Sequence, residues 1–280
     1  MFRLNRSPKA PKPEINAHEI EPARDGRETI KSVAAALAEN RITIAFQPVV
    51  NAKNFKIPAF QECLIRLIER NGSITPAASF MDIVEHSDLG RMVDRAVLRQ
   101  VVNVLKSTQR VRLSVNLSAN GVGDPEWLNI LSEACIEHPQ CGELLVVEIT
   151  ETAILNLSPE KLSFLNELRK LGCSIAIDDF GAGHTSIGQL GKFRFDFLKI
   201  DGSYIQDIEN NQDHQFLISS MISIARHFEM VSIAEMVESE EAAQILTDLG
   251  VDCLQGYEFG KPELAPKWLT QSDNPSAWRV

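Results

Sequence analysis

Acidic and amide side chains recur at the ends of short β-branched runs in this 280-residue sequence: Glu62, Asn116, Glu148, Asp178 with Asp179, Glu235 and Gln255, with Lys199 as a basic counterpart. A carboxylate after a strand is usually a solvated loop residue or a helix cap. Successive strands that all end this way call for a common cause, because strand ends converge where a sheet closes. Several carboxylates and one amide form an all-oxygen ligand set, which suits Mg²⁺ or Mn²⁺ rather than Zn²⁺. The histidines agree: His18, His86, His138, His214 and His227 fall in the N-terminal stretch or in helical and connecting segments, and no H-x-x-x-H spacing occurs. Neighbouring strand residues point to opposite faces, so Asp178 and Asp179 reach one site only if the chain leaves the strand between them. The following Phe180-Gly181-Ala182-Gly183 offers that turn. Adjacent aspartates at such a bend can bridge and hold a pair of cations, the arrangement of two-metal hydrolysis.

Two basic residues accompany the acids. In the run AFQECLIRL, Glu62, Leu64 and Arg66 share one face, and Cys63 on the other face belongs to the packing. Arg66 would then sit beside Glu62, either gripping a phosphate oxygen in bidentate fashion or pairing with Glu62 inside the fold. Lys199 closes the apolar run FDFLKI and needs anions nearby. It can orient an attacking water and stabilise developing charge, or act as a counter-ion that relieves carboxylate repulsion.

The elements that must position these residues form a regular series. Eight strand candidates appear: ITIAFQPVV, AFQECLIRL, VRLSVNLS, LLVVEIT, CSIAIDD, FDFLKID, VSIAEMV and VDCLQGY. Helical stretches lie between them, such as the one opened by Ser158-Pro159 and closed by Gly172, with Leu162, Leu165 and Leu168 on one stripe; Ser239 to Gly250 repeats that grammar. The alternation implies right-handed βαβ crossovers and a parallel sheet, either closed as a TIM-type (β/α)8 barrel or open and doubly wound. A single opening helix over Glu28–Asn40 precedes the eight strands and favours the barrel. Residues 1–27 read as a disordered tail, 28–270 as the barrel and 271–280 as a C-terminal tail.

The totals limit the function. Hydrophobic residues make up 44% of the chain, enough for a large core, and the net charge of −10 disfavours a broad face for a nucleic-acid polymer. Five scattered cysteines with no C-x-x-C suggest neither a disulfide framework nor a zinc site. No apolar run approaches the roughly 18 residues that span a bilayer, so membrane insertion is not expected and a reducing, cytoplasmic setting is.

The ordered motifs resemble the EAL domain, the family of cyclic di-GMP phosphodiesterases, from about Glu28 to about Leu269. They are Phe46-Gln47-Pro48, Glu62-Cys63-Leu64 with Arg66, Asn116-Leu117-Ser118, Glu148-Ile149-Thr150-Glu151, Asp178-Asp179-Phe180-Gly181, Leu198-Lys199-Ile200-Asp201, Ala234-Glu235-Met236-Val237-Glu238, and Gln255-Gly256-Tyr257 with Lys261-Pro262. The resemblance implies a TIM-type barrel using two Mg²⁺ or Mn²⁺ ions to open cyclic di-GMP to linear pGpG. Glu62, Asn116, Glu148 and Asp178 would hold one ion, Asp178 and Asp179 the other, with Glu235 as second-metal ligand or base. Lys199 would handle the water. Gln47 and Arg66 would contact substrate, Glu238 and Gln255 would support the far side of the binding site, and Glu151 would anchor the loop after the aspartate pair. It implies a homodimer as well. Degenerate relatives bind the dinucleotide as non-catalytic receptors and typically lack metal ligands, whereas every expected ligand is present here. Two departures stand out: Cys63 replaces the signature alanine, and the loop reads Gly181-Ala182-Gly183-His184-Thr185-Ser186 where the family prefers G-T-G-Y-S-S. His184 is thereby expected to alter regulation or basal rate.

Overall fold

Strand β1 (Ile42–Asn51) and strand β2 (Asn54–Ile68) are separated by two residues, Ala52 and Lys53, and the Asn51 side chain accepts from Lys53 N at 2.8 Å to close the turn. Two residues cannot hold a helical crossover, so β1 runs antiparallel to β2, with Gln47 opposite Glu62. This corrects the expectation of an all-parallel sheet. Apart from the three-residue β3 (Ile74–Pro76), which adds antiparallel to the projecting end of β2, the remaining strands do run parallel to β2 in the order expected. After β3 come β4 (Leu113–Asn116), β5 (Leu145–Thr150), β6 (Ser174–Phe180), β7 (Phe197–Ile200), β8 (Val231–Ala234) and β9 (Cys253–Gln255). Pairing of β9 with β1 and of β1 with β2 closes an eight-stranded TIM-type barrel. The computed structural model describes residues 26–108, 111–155, 157–183 and 187–270. Of the expected N-terminal tail at 1–27, residues 1–25 lie outside the described residues, as do 271–280 and His184, while Gly26 and Arg27 belong to the opening helix.

Helices wrap the barrel, and their ends follow from local chemistry. The opening helix is Gly26–Ala38, and Asn40 takes a left-handed φ of 53° just past its end. Ser158 Oγ accepts from Lys161 N to start the helix Pro159–Lys170, which Gly172 terminates at φ 95°. Ser239 and Gly250 do the same for Glu240–Leu249. The helix Asp88–Thr108 buries Gly90, Val93, Asp94, Val97, Leu98 and Val101 at helical spacing against the sheet. Cys63 is buried in the layer between strands and helices, as its alternation required. Among the described residues no helix is long and apolar enough to cross a membrane.

The barrel interior has two layers. A floor is packed from Val49, Phe60, Val146, Ala176, Phe197, Ile233 and Cys253, with the rings of Phe60 and Phe197 edge to face at 5.5 Å. Two residues further along each parallel strand, and so on the same inward face, stand Glu62, Glu148, Asp178, Lys199, Glu235 and Gln255; on β4 the pair is Ser114 and Asn116. The floor removes water from beneath the polar layer. Every charge in that layer is thus desolvated from below and must find its partner beside it.

Candidate metal centre

At the middle of the polar layer sits Lys199, 1% exposed on its strand β7. Its Nζ lies 2.6 Å from Glu148 Oε2, 2.7 Å from Glu235 Oε1, 2.9 Å from Asp178 Oδ1 and 3.7 Å from Glu62 Oε2. Burial pulls a lysine toward neutrality, but these four carboxylates outweigh it and hold the ammonium well above its ordinary pKa. Burial has the opposite effect on the acids. It pushes Glu148 up to about 8 against the pull of Lys199, and drives Glu235 well above the usual carboxylate range. Glu62 is lowered instead: burial raises it, yet Lys199, Gln255 and Asn116 together prevail.

Glu62 is held on both oxygens. Asn116 Nδ2 donates to Oε1 at 2.8 Å, and Gln255 Nε2 donates to Oε2. The Gln255 amide also reaches Gln47 Oε1 at 3.3 Å, while Gln47 Nε2 donates to Gly260 O at 3.1 Å. Gln47 and Gln255, expected at the substrate, are thus built into the wall that fixes Glu62. The Asn116 nitrogen is turned to Glu62, and its amide oxygen is the atom that can serve a cation.

Asp178 and Asp179 reach the same side by a route different from the one expected. Strand β6 does not end between them; it continues to Phe180, and the register with β7 slips between Ile177 and Phe180. The slip is a bulge at Asp179, whose φ is 54°. The left-handed residue turns its carboxylate inward, and one ligand atom from each of Asp178, Asp179 and Glu235 lies within 4.8 Å of the others. Burial, then the neighbouring Asp178, raises Asp179 to about 6. The Glu151 carboxylate accepts from Gly181 N at 2.8 Å and Gly183 N at 3.3 Å, the contacts a loop anchor makes.

Arg66 and Glu238 stand apart. Arg66 lies four residues beyond Glu62 on the same face, roughly 13 Å along the strand, so it belongs to the lip of the barrel rather than beside Glu62 as expected. There it is half-buried, and Nη1 donates to Ile65 O at 2.9 Å. Glu238 is exposed, and among the described residues no hydrogen bond or ion pair joins it to the cluster.

Two residues near the centre escaped the sequence reading. Asp94, 4% exposed, accepts from Ser118 Oγ at 2.7 Å and Ser118 N at 3.3 Å, gripping the loop that follows Asn116. An acid on the buried stripe of the helix Asp88–Thr108 was the available signal. Tyr204 donates its hydroxyl to Gly181 O at 2.8 Å. Nothing in the spacing of the sequence marks it.

The chemistry of the donors fits a pair of divalent ions. Glu62, Glu148, Asp178, Asp179 and Glu235 bring five carboxylates against the single ammonium of Lys199, leaving four negative charges when all are ionised, the charge of two such ions. Glu148 Oε1 is buried without a hydrogen-bond partner, and oxygen donors without imidazole or thiolate suit a hard cation.

Comparison with known proteins agrees with this geometry. The sequence pattern of the EAL domain matches residues 30–262. The cyclic di-GMP phosphodiesterase PdeF of Escherichia coli is 30% identical over 233 residues, which take in 81% of this chain and 31% of that protein, so the chain spans under a third of the length of this curated relative. The solved structure of the PaMucR phosphodiesterase in complex with c-di-GMP superposes with a TM-score of 0.77 at 26% identity, covering 85% of this chain and 98% of the other. The FimX EAL domain of Pseudomonas aeruginosa bound to c-di-GMP gives 0.77 at 28% identity, covering 85% and 97%. A barrel whose acidic strand ends meet at one mouth, matched by the family's sequence pattern over most of its length, places the chain in the EAL domain family.

Proposed function

We propose that the chain is a metal-dependent phosphodiesterase that opens one ester of cyclic di-GMP to give linear pGpG, working with two Mg²⁺ or Mn²⁺ ions. The observation that carries the reading is the charge surplus of the polar layer: five converging carboxylates around one buried ammonium, with every ligand position of the resemblance filled. Glu62, Asn116, Glu148 and Asp178 would hold one ion, and Asp178, Asp179 and Glu235 the other. Bound ions of this class supply Lewis acidity and lower the pKa of a water to the point of attack.

The chain's own residues supply the rest. Lys199 keeps three donor protons within reach of the cluster, so it orients the water and stabilises charge building on the phosphate oxygens. Glu235, 2.7 Å from that ammonium, takes the proton of the attacking water. Gln255 and Gln47 keep Glu62 in place, Arg66 at the lip grips a phosphate, and Glu238 supports the outer part of the substrate. The catalytic barrel with its opening helix runs from Gly26 to about residue 270 and acts in the cytoplasm as a homodimer.

The test is incubation with cyclic di-GMP and MnCl₂ or MgCl₂, following pGpG by chromatography, with Glu62→Gln beside the parent. The parent yields pGpG, and the variant loses at least about a hundredfold in rate, the scale set by one misplaced group in a site that works by positioning. Dinucleotide that is bound and never cut would make the chain a receptor instead.

A further inference from the structure

The bulge that aims Asp179 inward is held from outside. Asp179 at φ 54° and Gly181 at φ 102° make a left-handed pair around Phe180, and a non-glycine residue in that region stores strain that the surroundings must hold. Two hydrogen bonds bear on Gly181, one on each flanking peptide group. The N–H is bound by Glu151 at 2.8 Å, and the carbonyl accepts the Tyr204 hydroxyl at 2.8 Å. A Cβ added at Gly181 would lie 2.7 Å from the Tyr204 ring and 2.7 Å from Met221 Cε, so the loop is pressed flat against that wall.

Tyr204 is itself firmly seated. It ends the 3-10 turn Gly202–Tyr204, whose first residue is capped by Asp201 accepting from Ser203 N at 3.0 Å, directly after the strand that carries Lys199. Its ring meets His214 edge to face at 5.9 Å. The strand that places the central ammonium therefore also places the hydroxyl that holds the aspartate loop.

We propose that Tyr204 is a positioning residue: its hydroxyl on the Gly181 carbonyl fixes the bulge that turns Asp179 toward the second metal ion. The proposal rests on the two-ion reading above. It does not need the substrate to be cyclic di-GMP.

The substitution Tyr204→Phe removes the hydroxyl and keeps the ring. Metal-depleted protein is titrated with Mn²⁺ and free ion read by electron paramagnetic resonance, giving the affinity of each ion without turnover. The ion held by the four side chains Glu62, Asn116, Glu148 and Asp178 should be the tighter and unchanged. The one held by the three side chains Asp178, Asp179 and Glu235 should be the weaker and bound roughly threefold to tenfold less tightly, the worth of one neutral hydrogen bond. Tyr204→Leu should weaken that ion at least as much. Coincident titrations overturn the proposal, as does equal weakening of both ions. A metal-free Tyr204→Phe that melts more than about 5 °C below the parent also overturns it, because the hydroxyl would then serve the fold. A parent that leaves cyclic di-GMP uncut while the variant loses the weaker ion would remove the hydrolytic reading and leave Tyr204 its role.

Discussion

Lys199 and Asp94 are buried charges that the fold treats in opposite ways. Lys199 stays ionised because carboxylates surround it. Among the described residues Asp94 has no cation beside it: burial, with the Asp124 and Glu85 charges adding, raises it to about 7 although Ser118 donates to it twice. A folded-state pKa above that of the unfolded chain means that the folded state binds more protons in between. Stability from this group is therefore complete below about pH 4 and falls as pH rises through about 7. Asp94→Asn keeps an acceptor for Ser118 and has no proton to lose. Relative to the parent, the variant should gain stability between pH 5 and pH 8, by on the order of 3 kcal/mol, as read from urea unfolding at both values. A parent-to-variant difference independent of pH would show that Asp94 already ionises freely in the fold.

At the scale of elements, period-two alternation exposed much of the design. Phe60 before Glu62, Val146 before Glu148, Phe197 before Lys199 and Ile233 before Glu235 each place an apolar and a polar residue on one face, which is the floor and the polar layer of the barrel. Alternation is blind to direction, so it could not reveal that β1 runs backwards; only the two-residue gap after Asn51 carried that. It is equally blind to the bulge at Asp179 and to the bond from Tyr204, which depend on a register slip and a contact 23 residues away. Gly256 shows the same limit. It follows Gln255 where the ends of β8 and β9 exchange bonds, Val237 N to Gln255 O at 3.0 Å and Glu258 N to Val237 O at 3.1 Å. A Cβ there would lie 2.0 Å from Val237 O, an overlap with backbone that no rotamer relieves. Gly256→Ala must shift one strand end and draw Gln255 off Glu62. The expected result is a loss of about 2 kcal/mol or more together with a fall in turnover, measured by melting and by pGpG formation. Parent-like values of both would show that the strand ends have slack.

For the whole molecule, the consequence of closure is that the centre has no local existence. Its candidate ligands come from β2, β4, β5, β6 and the end of β8, and the hairpin of β1 joins the first of these to β9. Opening any one strand separates ligands far apart in sequence, so the unfolded chain offers no comparable site and metal binding acts on global stability. At a hundredfold excess over its dissociation constant, an ion adds about 2.7 kcal/mol; for a barrel of this size that is a rise in melting temperature of about 5 to 10 °C. Mn²⁺ should produce this rise and a chelator should reverse it. Ca²⁺ should also stabilise, since it takes the same oxygens, yet its larger and looser coordination misplaces the attacking water, so calcium-loaded protein should melt high and turn over little. Scans that coincide with chelator and with Mn²⁺ would show that the carboxylates hold no ion. Calcium turnover at the magnesium rate would leave the ions in place but remove the demand for tight geometry on which the positioning by Gln255 and Tyr204 depends.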